Sequence, residues 1–265
     1  MALITCRPKS LPPDRLPSAA RKAIEVNPAN AAEHHRVART PVGRPGGRKR
    51  LAVVRGRRWP VSGVRLSVSF LDSPPRDLRK RILLHLNAWS ESANVRFAET
   101  RGVGEVRIAR IDFPPVDAGY WSYIGTEILE LEEDQPTMNL EGFTMHVSER
   151  EFRRVVRHEA GHTLGFEHEH MRSDLVKRID RAKAFRFYDR DQGWTREEVK
   201  EQVLTPLSAR SLYGTAESDP HSIMCYQIPA QVTKSGRAIA GGVDINEKDY
   251  AFAAAIYPKR LRKRR

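Results

Sequence analysis

From Trp59 onward the hydrophobic and polar positions fall into short periodic runs. In VRLSVSFL, Val64, Leu66, Val68 and Phe70 alternate with Arg65, Ser67 and Ser69, the period of two that marks a half-buried strand. Asp72 or Ser73 then caps a helix opened by Pro74 and Pro75, with Leu78, Ile82, Leu86 and Trp89 on one stripe. Short strands are expected at NVRFAE, EVRIARI, TEILEL and TMNLEG, separated by Gly and Pro punctuation. EFRRVVRHEAGHTLG reads as a helix carrying Phe152, Val155 and Val156 on its apolar side and stopped by Gly165. TREEVKEQVL opens with a capping box, Thr195 with Glu198, and a last helix near NEKDYAFAAAIYP ends at Pro258.

Residues 1–58 have a different texture. They hold a Gly-Arg-rich stretch, PVGRPGGRKR, and no sustained apolar period beyond a short helix near SAARKAIEV. This composition predicts a largely unstructured basic segment ahead of one domain spanning residues 59–258, with a basic tail at 259–265. The formal charge of +13 suggests an anionic partner until it is divided along the chain. Residues 1–58 carry 14 Lys and Arg against 3 Asp and Glu, the tail adds 6 basic residues, and the body retains 26 basic against 30 acidic, a net charge of −4. The excess belongs to the ends, which predicts nonspecific attachment to anionic surfaces and no specific nucleic-acid reader.

The longest nearly unbroken apolar run, AFAAAIY, is far too short to span a membrane. Two cysteines, Cys6 and Cys225, allow at most one disulfide and exclude a four-cysteine zinc module. With no readable signal peptide in MALITCRPKSLPPDR, an intracellular home is the default expectation.

Candidate chemistry concentrates in HEAGHTLGFEHEH, where His158, Glu159, His162, Gly165 and His168 satisfy H-E-x-x-H-x-x-G-x-x-H. Residues four apart share a helix face, so His158 and His162 present their imidazoles to one point. A zinc ion wants tetrahedral ligands at about 2.0–2.1 Å, so a third ligand must come from beyond that face. Gly165 can turn the chain back in a left-handed conformation and bring in His168. Three protein ligands leave a position for water, and Glu159, about 100° round the helix from His158, is aimed beside it as a general base. At this chain's own residue frequencies HExxH alone would arise by chance in about one such chain in 50, and the extended pattern in fewer than about one in 10,000.

The extended motif resembles that of the metzincin zinc endopeptidases, whose other sign is a methionine-containing turn. SIMCY at residues 222–226 is similar to that turn, with Met224 beneath the metal. Within the clan the chain most resembles the astacins, through Glu169 after the third histidine, Arg172 and Asp174 shortly beyond, and Tyr226 two residues after Met224. The likeness extends more loosely to RWPVSGVRLSVSF and GYWSYIGT, covering about residues 57–258. Two positions depart from it: Tyr120 stands where the family's Cys-Trp-Ser has its Cys, and Cys225 replaces the turn's His.

The resemblance implies an α+β, two-lobed peptidase domain. A twisted mixed sheet and the active-site helix would lie above a cleft, with a mostly helical and irregular lobe below contributing His168 and Met224. It implies a zinc-dependent metalloendopeptidase acting on peptide or protein substrates. One catalytic zinc would be held by His158, His162 and His168, Glu159 would be the base, and Tyr226 would leave the metal to hydrogen-bond the tetrahedral oxyanion. It also implies that Glu169 anchors a freed N-terminus. Cleavage after RKR at residues 48–50 would release such an end and make residues 1–50 a pro-segment, with a plain basic linker as the alternative.

Other residues carry weaker readings. Cys6, in TCRPKSLPPD, is read as a small buried residue, the alternative being latent coordination of the metal as in matrixin pro-segments. His170 is expected beside the ligands or at the surface, and His34, His35, His85, His146 and His221 in ordinary polar roles. The acidic run LELEEDQ lacks the Asp-x-Asp spacing of a calcium loop and is expected to be solvated. The alternatives to a peptidase are a catalytically weak zinc-binding protein of the same fold and a basic-tailed protein that binds nucleic acid or anionic surfaces.

Overall fold

The structure, a computed structural model, describes residues 6, 9–31, 53–54, 56–110, 118–207, 212–213 and 218–259. The RKR site, His34, His35 and all of the basic tail but Lys259 lie outside the described residues. An arm comes first: a 3-10 turn, Pro13–Arg15, helix α1, Leu16–Val26, and a second 3-10 turn, Pro28–Asn30. A short strand β1, Val53–Val54, precedes the domain proper, which opens with β2, Val64–Phe70, and α2, Arg76–Leu86. Strands β3, Val95–Glu99, β4, Val106–Ala109, β5, Tyr120–Ser122, and β6, Met138–Leu140, complete a five-stranded sheet ordered β3-β2-β4-β6-β5. All neighbours are parallel except β5, which lies antiparallel to β6 and forms one edge.

A continuous helical run follows: α3, Glu149–Glu151, a π segment, Phe152–Val156, and α4, Arg157–Thr163. The sheet, α2 and this run share one core, with Val68, Ile82, Trp89, Ile108, Phe143, Phe152 and Val156 buried. Burying a Leu, Ile, Val or Phe side chain stabilises by about 1.5–3 kcal/mol, and this core fixes α4 against the sheet. Beyond α4 the chain enters a second lobe with α5, Ser173–Val176, α6, Arg181–Gln192, α7, Arg196–Val199, and a π segment, Lys200–Leu204. Strand β7, Leu212–Tyr213, pairs with β1, and α8, Glu247–Ile256, packs back on the first lobe. The second lobe has its own core around Tyr188, Trp194, Val203, Cys225 and Ile228. The two-lobed α+β architecture matches the expectation.

One predicted strand is absent and one helix goes unpredicted. TEILEL is no strand: Gly125–Glu130 is a 3-10 segment in which Gly125, Thr126, Glu127 and Ile128 are all buried. Gly125 has φ +56°, and any Cβ there would collide with the Arg57 carbonyl, which accepts from Thr126 N at 3.0 Å. The chain is bent by this close approach, which alternation alone does not reveal. Helix α6 has no counterpart in the sequence reading because only Ala184 and Tyr188 are buried on it; Asp180 caps it and Gly193, φ +65°, ends it.

The expectation of a largely unstructured N-terminal segment gives way for residues 9–31. Ala19 and Ala23 let α1 lie close on the 3-10 segment Gly125–Glu130. Lys22 Nζ donates to the Leu129 carbonyl at 2.9 Å and pairs with Glu130 at 3.0 Å, while Arg15 pairs with Glu132 at 3.3 Å. The Asn27 and Asn30 amides donate to the Arg58 carbonyl at 3.3 and 3.0 Å. The acidic run is thus a docking face for a basic helix.

Beneath that face Glu127 is buried and paired with Arg57 Nη1 at 3.2 Å. Burial pushes its carboxyl up from the usual 4.5 to about 7, the Arg57 charge opposing the shift. The folded chain therefore holds this proton more tightly than the unfolded chain. Its contribution to stability is full below about pH 4.5 and is lost as the pH rises through about 7. Glu127→Gln should flatten the fall in melting temperature between about pH 5 and 8; equal slopes for both proteins would contradict this account.

Candidate metal centre

Helix α4 ends in a Schellman motif: Gly165 N donates to His162 O at 2.8 Å and Phe166 N to Gly161 O at 2.9 Å, with Gly165 at φ +92°. That reversal returns the chain so that His168 meets the helix face carrying His158 and His162. His168 Nε2 lies 3.1 Å from His158 Nε2 and 3.0 Å from His162 Nε2, all three side chains being buried. His158 Nδ1 lies 2.6 Å from Ile223 O and His162 Nδ1 2.7 Å from Phe166 O. A carbonyl only accepts, so each Nδ1 carries the hydrogen and each Nε2 turns a lone pair inward. Burial holds all three imidazoles well below their usual pKa, so they stay neutral. Lone pairs packed this closely repel one another, and a divalent cation relieves that. Tetrahedral zinc at about 2.05 Å requires its ligand atoms roughly 3.3 Å apart, close to the spacing here. The residues fit the metal.

Cys6 completes the group. Its Sγ and the three imidazole nitrogens all lie within 4.8 Å of one another. The thiol also donates to Glu159 Oε2 at 3.3 Å. Cys6 is buried, as the first reading expects, and in addition its thiol stands as a fourth potential ligand beside the Glu159 carboxyl. Burial raises the thiol pKa well above its usual value, but a coordinating thiol is deprotonated outright by the metal's own charge. Lys9 continues the arm along the sheet edge, bridging Tyr123 in parallel with Lys9 N donating to Ser122 O at 3.1 Å.

Glu159 is fully buried, and burial pushes its carboxyl up to about 8; Oε1 has no hydrogen-bond partner. Tyr226 lies against two of the three histidines, its ring 4.2 Å from that of His168 and stacked at 10° and 6.0 Å on His158. Its hydroxyl is buried, with the Cys6 thiol and the Glu159 carboxyl near it. Both Glu159 and Tyr226 border a cleft of about 620 Å³ that is also lined by Tyr120, Val147, Arg154 and Val243.

Met224 lies under α4 as expected. A Cβ on Gly161 would collide with Met224 Sδ and come within 3.3 Å of Trp89, so any larger residue between the two helix histidines must displace Met224. The turn is braced by a residue the sequence reading missed. Asp249 accepts from Ser222 Oγ at 2.5 Å and from Ile223 N at 2.9 Å. Its one signal was the spacing Asn246-x-x-Asp249, a capping box for α8. Because Ile223 O also holds His158, Asp249 acts on the histidine cluster through a single residue, Ile223. Glu169 accepts from Asp219 N at 2.8 Å and lies 3.7 Å from Arg172, while its Oε2 is buried with no hydrogen-bond partner. The other described histidines stand outside the cluster; His170 is buried, its Nε2 2.9 Å from Gln202 O.

Comparison with known proteins agrees with this geometry. The sequence model of the astacin peptidase family matches residues 53–235. The zinc metalloproteinase nas-27 of Caenorhabditis elegans is 32% identical over 133 residues, which are 48% of this chain and 26% of that protein, so the match spans about a quarter of its length. A solved structure of myroilysin superposes with a TM-score of 0.73 at 29% identity, covering 79% of this chain and 100% of that one. A second gives 0.57 at 27% identity, covering 77% and 86%.

The ion pairs that dock α1 hold Cys6 at the cluster from a distance. Charge reversal of both Arg15 and Lys22 to Glu should therefore speed alkylation of Cys6 in the metal-free full chain, by about 10-fold if each pair contributes roughly 0.7 kcal/mol. An unchanged rate would show that the thiol is held without them.

Proposed function

The chain belongs to the astacin family of zinc peptidases, and from that premise we propose that it hydrolyses internal peptide bonds of protein or peptide substrates and is kept latent by Cys6. One observation carries the reading: three buried imidazole nitrogens converge beside a buried, incompletely paired carboxylate on the wall of a cleft. His158, His162 and His168 would hold the zinc. When bound, it supplies a Lewis acid that polarises the scissile carbonyl and acidifies water.

Glu159 takes a proton from the attacking water and delivers it to the leaving nitrogen, so that the C–O bond forms and the C–N bond breaks without a covalent intermediate. The Tyr226 hydroxyl donates to the tetrahedral oxyanion, a contribution of typically about 2.7–4 kcal/mol. A substrate peptide would add to the edge strand β5 at the Ser122 carbonyl that Lys9 N now occupies.

Catalytic zinc sites keep one position open, whereas structural sites are closed by four protein ligands. In this chain the fourth ligand comes from an arm outside the domain, so closure is reversible in principle. Displacement of the arm opens the site, and an N-terminal ammonium released by cleavage after Arg50 would satisfy the unpaired oxygen of Glu169. A second reading has one observation behind it: the same group of one cysteine and three histidines would suit a permanently closed structural zinc. The basic ends would add nonspecific attachment to anionic surfaces.

The readings separate on the full chain. With zinc bound, Cys6→Ser should raise peptide cleavage at least about 10-fold over wild type, and adding Glu159→Gln should then lower it by about 100- to 10,000-fold without loss of zinc. A Cys6→Ser protein that binds zinc yet cleaves no better than wild type would sink latency by Cys6, and full activity with Glu159→Gln would sink the catalytic assignment. Chelation should abolish cleavage in both the wild type and the Cys6→Ser protein.

A further inference from the structure

His170 is fully buried two residues after the third ligand, in the 3-10 turn Glu169–Met171. It is not a member of the group formed by Cys6, His158, His162 and His168. Its ring stacks on Tyr226 at 17° with centroids 4.2 Å apart and tilts against His168 at 4.8 Å. Nε2 faces the Gln202 carbonyl at 2.9 Å, so it carries the hydrogen and donates to the π segment of the second lobe. The turn is tied to the same region a second time, since Leu207 N donates to Met171 O at 3.0 Å. The Tyr226 ring is thus nearly parallel to His170 at 4.2 Å and to the more distant His158 at 6.0 Å, with His168 tilted against it at 4.2 Å.

We propose that His170 is the positioning residue for Tyr226: a platform anchored to the second lobe on which the phenol is stacked, fixing where it rests relative to the metal ligands. The proposal rests on the reading of Tyr226 as a group that reaches the metal and leaves it. A side chain with no ring at position 170 removes the ring stacked on Tyr226. It also frees the carbonyl of Gln202, while His158 and His162 keep their own carbonyl partners. A role of His170 in folding alone would lower stability without changing the environment of the phenol.

The test is spectroscopic and uses the full chain carrying Cys6→Ser, loaded with Cu(II) in place of zinc. A tyrosine oxygen bound to Cu(II) gives a visible charge-transfer band that imidazole ligands do not. The Cys6→Ser protein is expected to show the band and Tyr226→Phe to abolish it. His170→Ala should lose or shift the band with copper stoichiometry unchanged, and His170→Phe, which restores a flat ring, should recover it. His170→Gln, which keeps a donor for Gln202 but no ring, should behave like His170→Ala and replaces it if that variant does not fold. A band unaltered in His170→Ala and His170→Gln but absent in Tyr226→Phe would overturn the proposal and leave the Tyr226 reading intact. A band that survives Tyr226→Phe would overturn both.

Discussion

Everything at the centre of this molecule follows from bringing three uncharged imidazole nitrogens to within about an ion's reach of one another in a buried place. Two constraints make that possible. The Nδ1 of His158 and of His162 are each tied to a backbone carbonyl, which fixes the tautomer and the ring orientation together. Those carbonyls belong to Ile223 and Phe166, so the methionine turn and the reversal after α4 are parts of the metal site as much as the histidines are. Asp249 stands behind the first and Gly165 behind the second. The site is an arrangement of peptides, with side chains as its visible face.

The motif was legible because its logic is local. An i, i+4 pair on one helix, a glycine able to reverse the chain and a histidine three residues on can all be read from a dozen letters. The strands from Val64, Val95 and Val106 were legible for the same reason, since alternation or a buried run marks them within a few residues. What escaped is long-range. Cys6 contacts Glu159 from 153 positions away, and nothing near Cys6 in the sequence identifies its partner. Asp249 left only its capping-box spacing from Asn246. The segment around Ile128 was misread because Glu127 is buried and Gly125 is pressed against Arg57, both effects of tertiary contact.

The charge distribution also changes meaning once the arm is placed. As a sum it suggests an anionic partner. In the structure part of it is intramolecular: Arg15 and Lys22 face Glu132 and Glu130, and the acidic run that looked merely solvated receives them. Surface pairs of this kind are each worth no more than about 1 kcal/mol. They set where the arm lies, while Ala19, Ala23, Asn27 and Asn30 supply buried and hydrogen-bonded contact.

On the proposed reading, the covalent continuity of the chain has a kinetic consequence. A thiol tethered to the domain returns to its site at an effective concentration of order millimolar, whatever the dilution of the protein. A substrate carbonyl that enters while Cys6 is briefly away competes with that local concentration, and most openings end in reclosure. Cutting the chain anywhere between the arm and β1 converts reclosure into a bimolecular event that dilution can defeat. Latency in this protein would then be a property of connectivity as much as of the sulfur–metal bond.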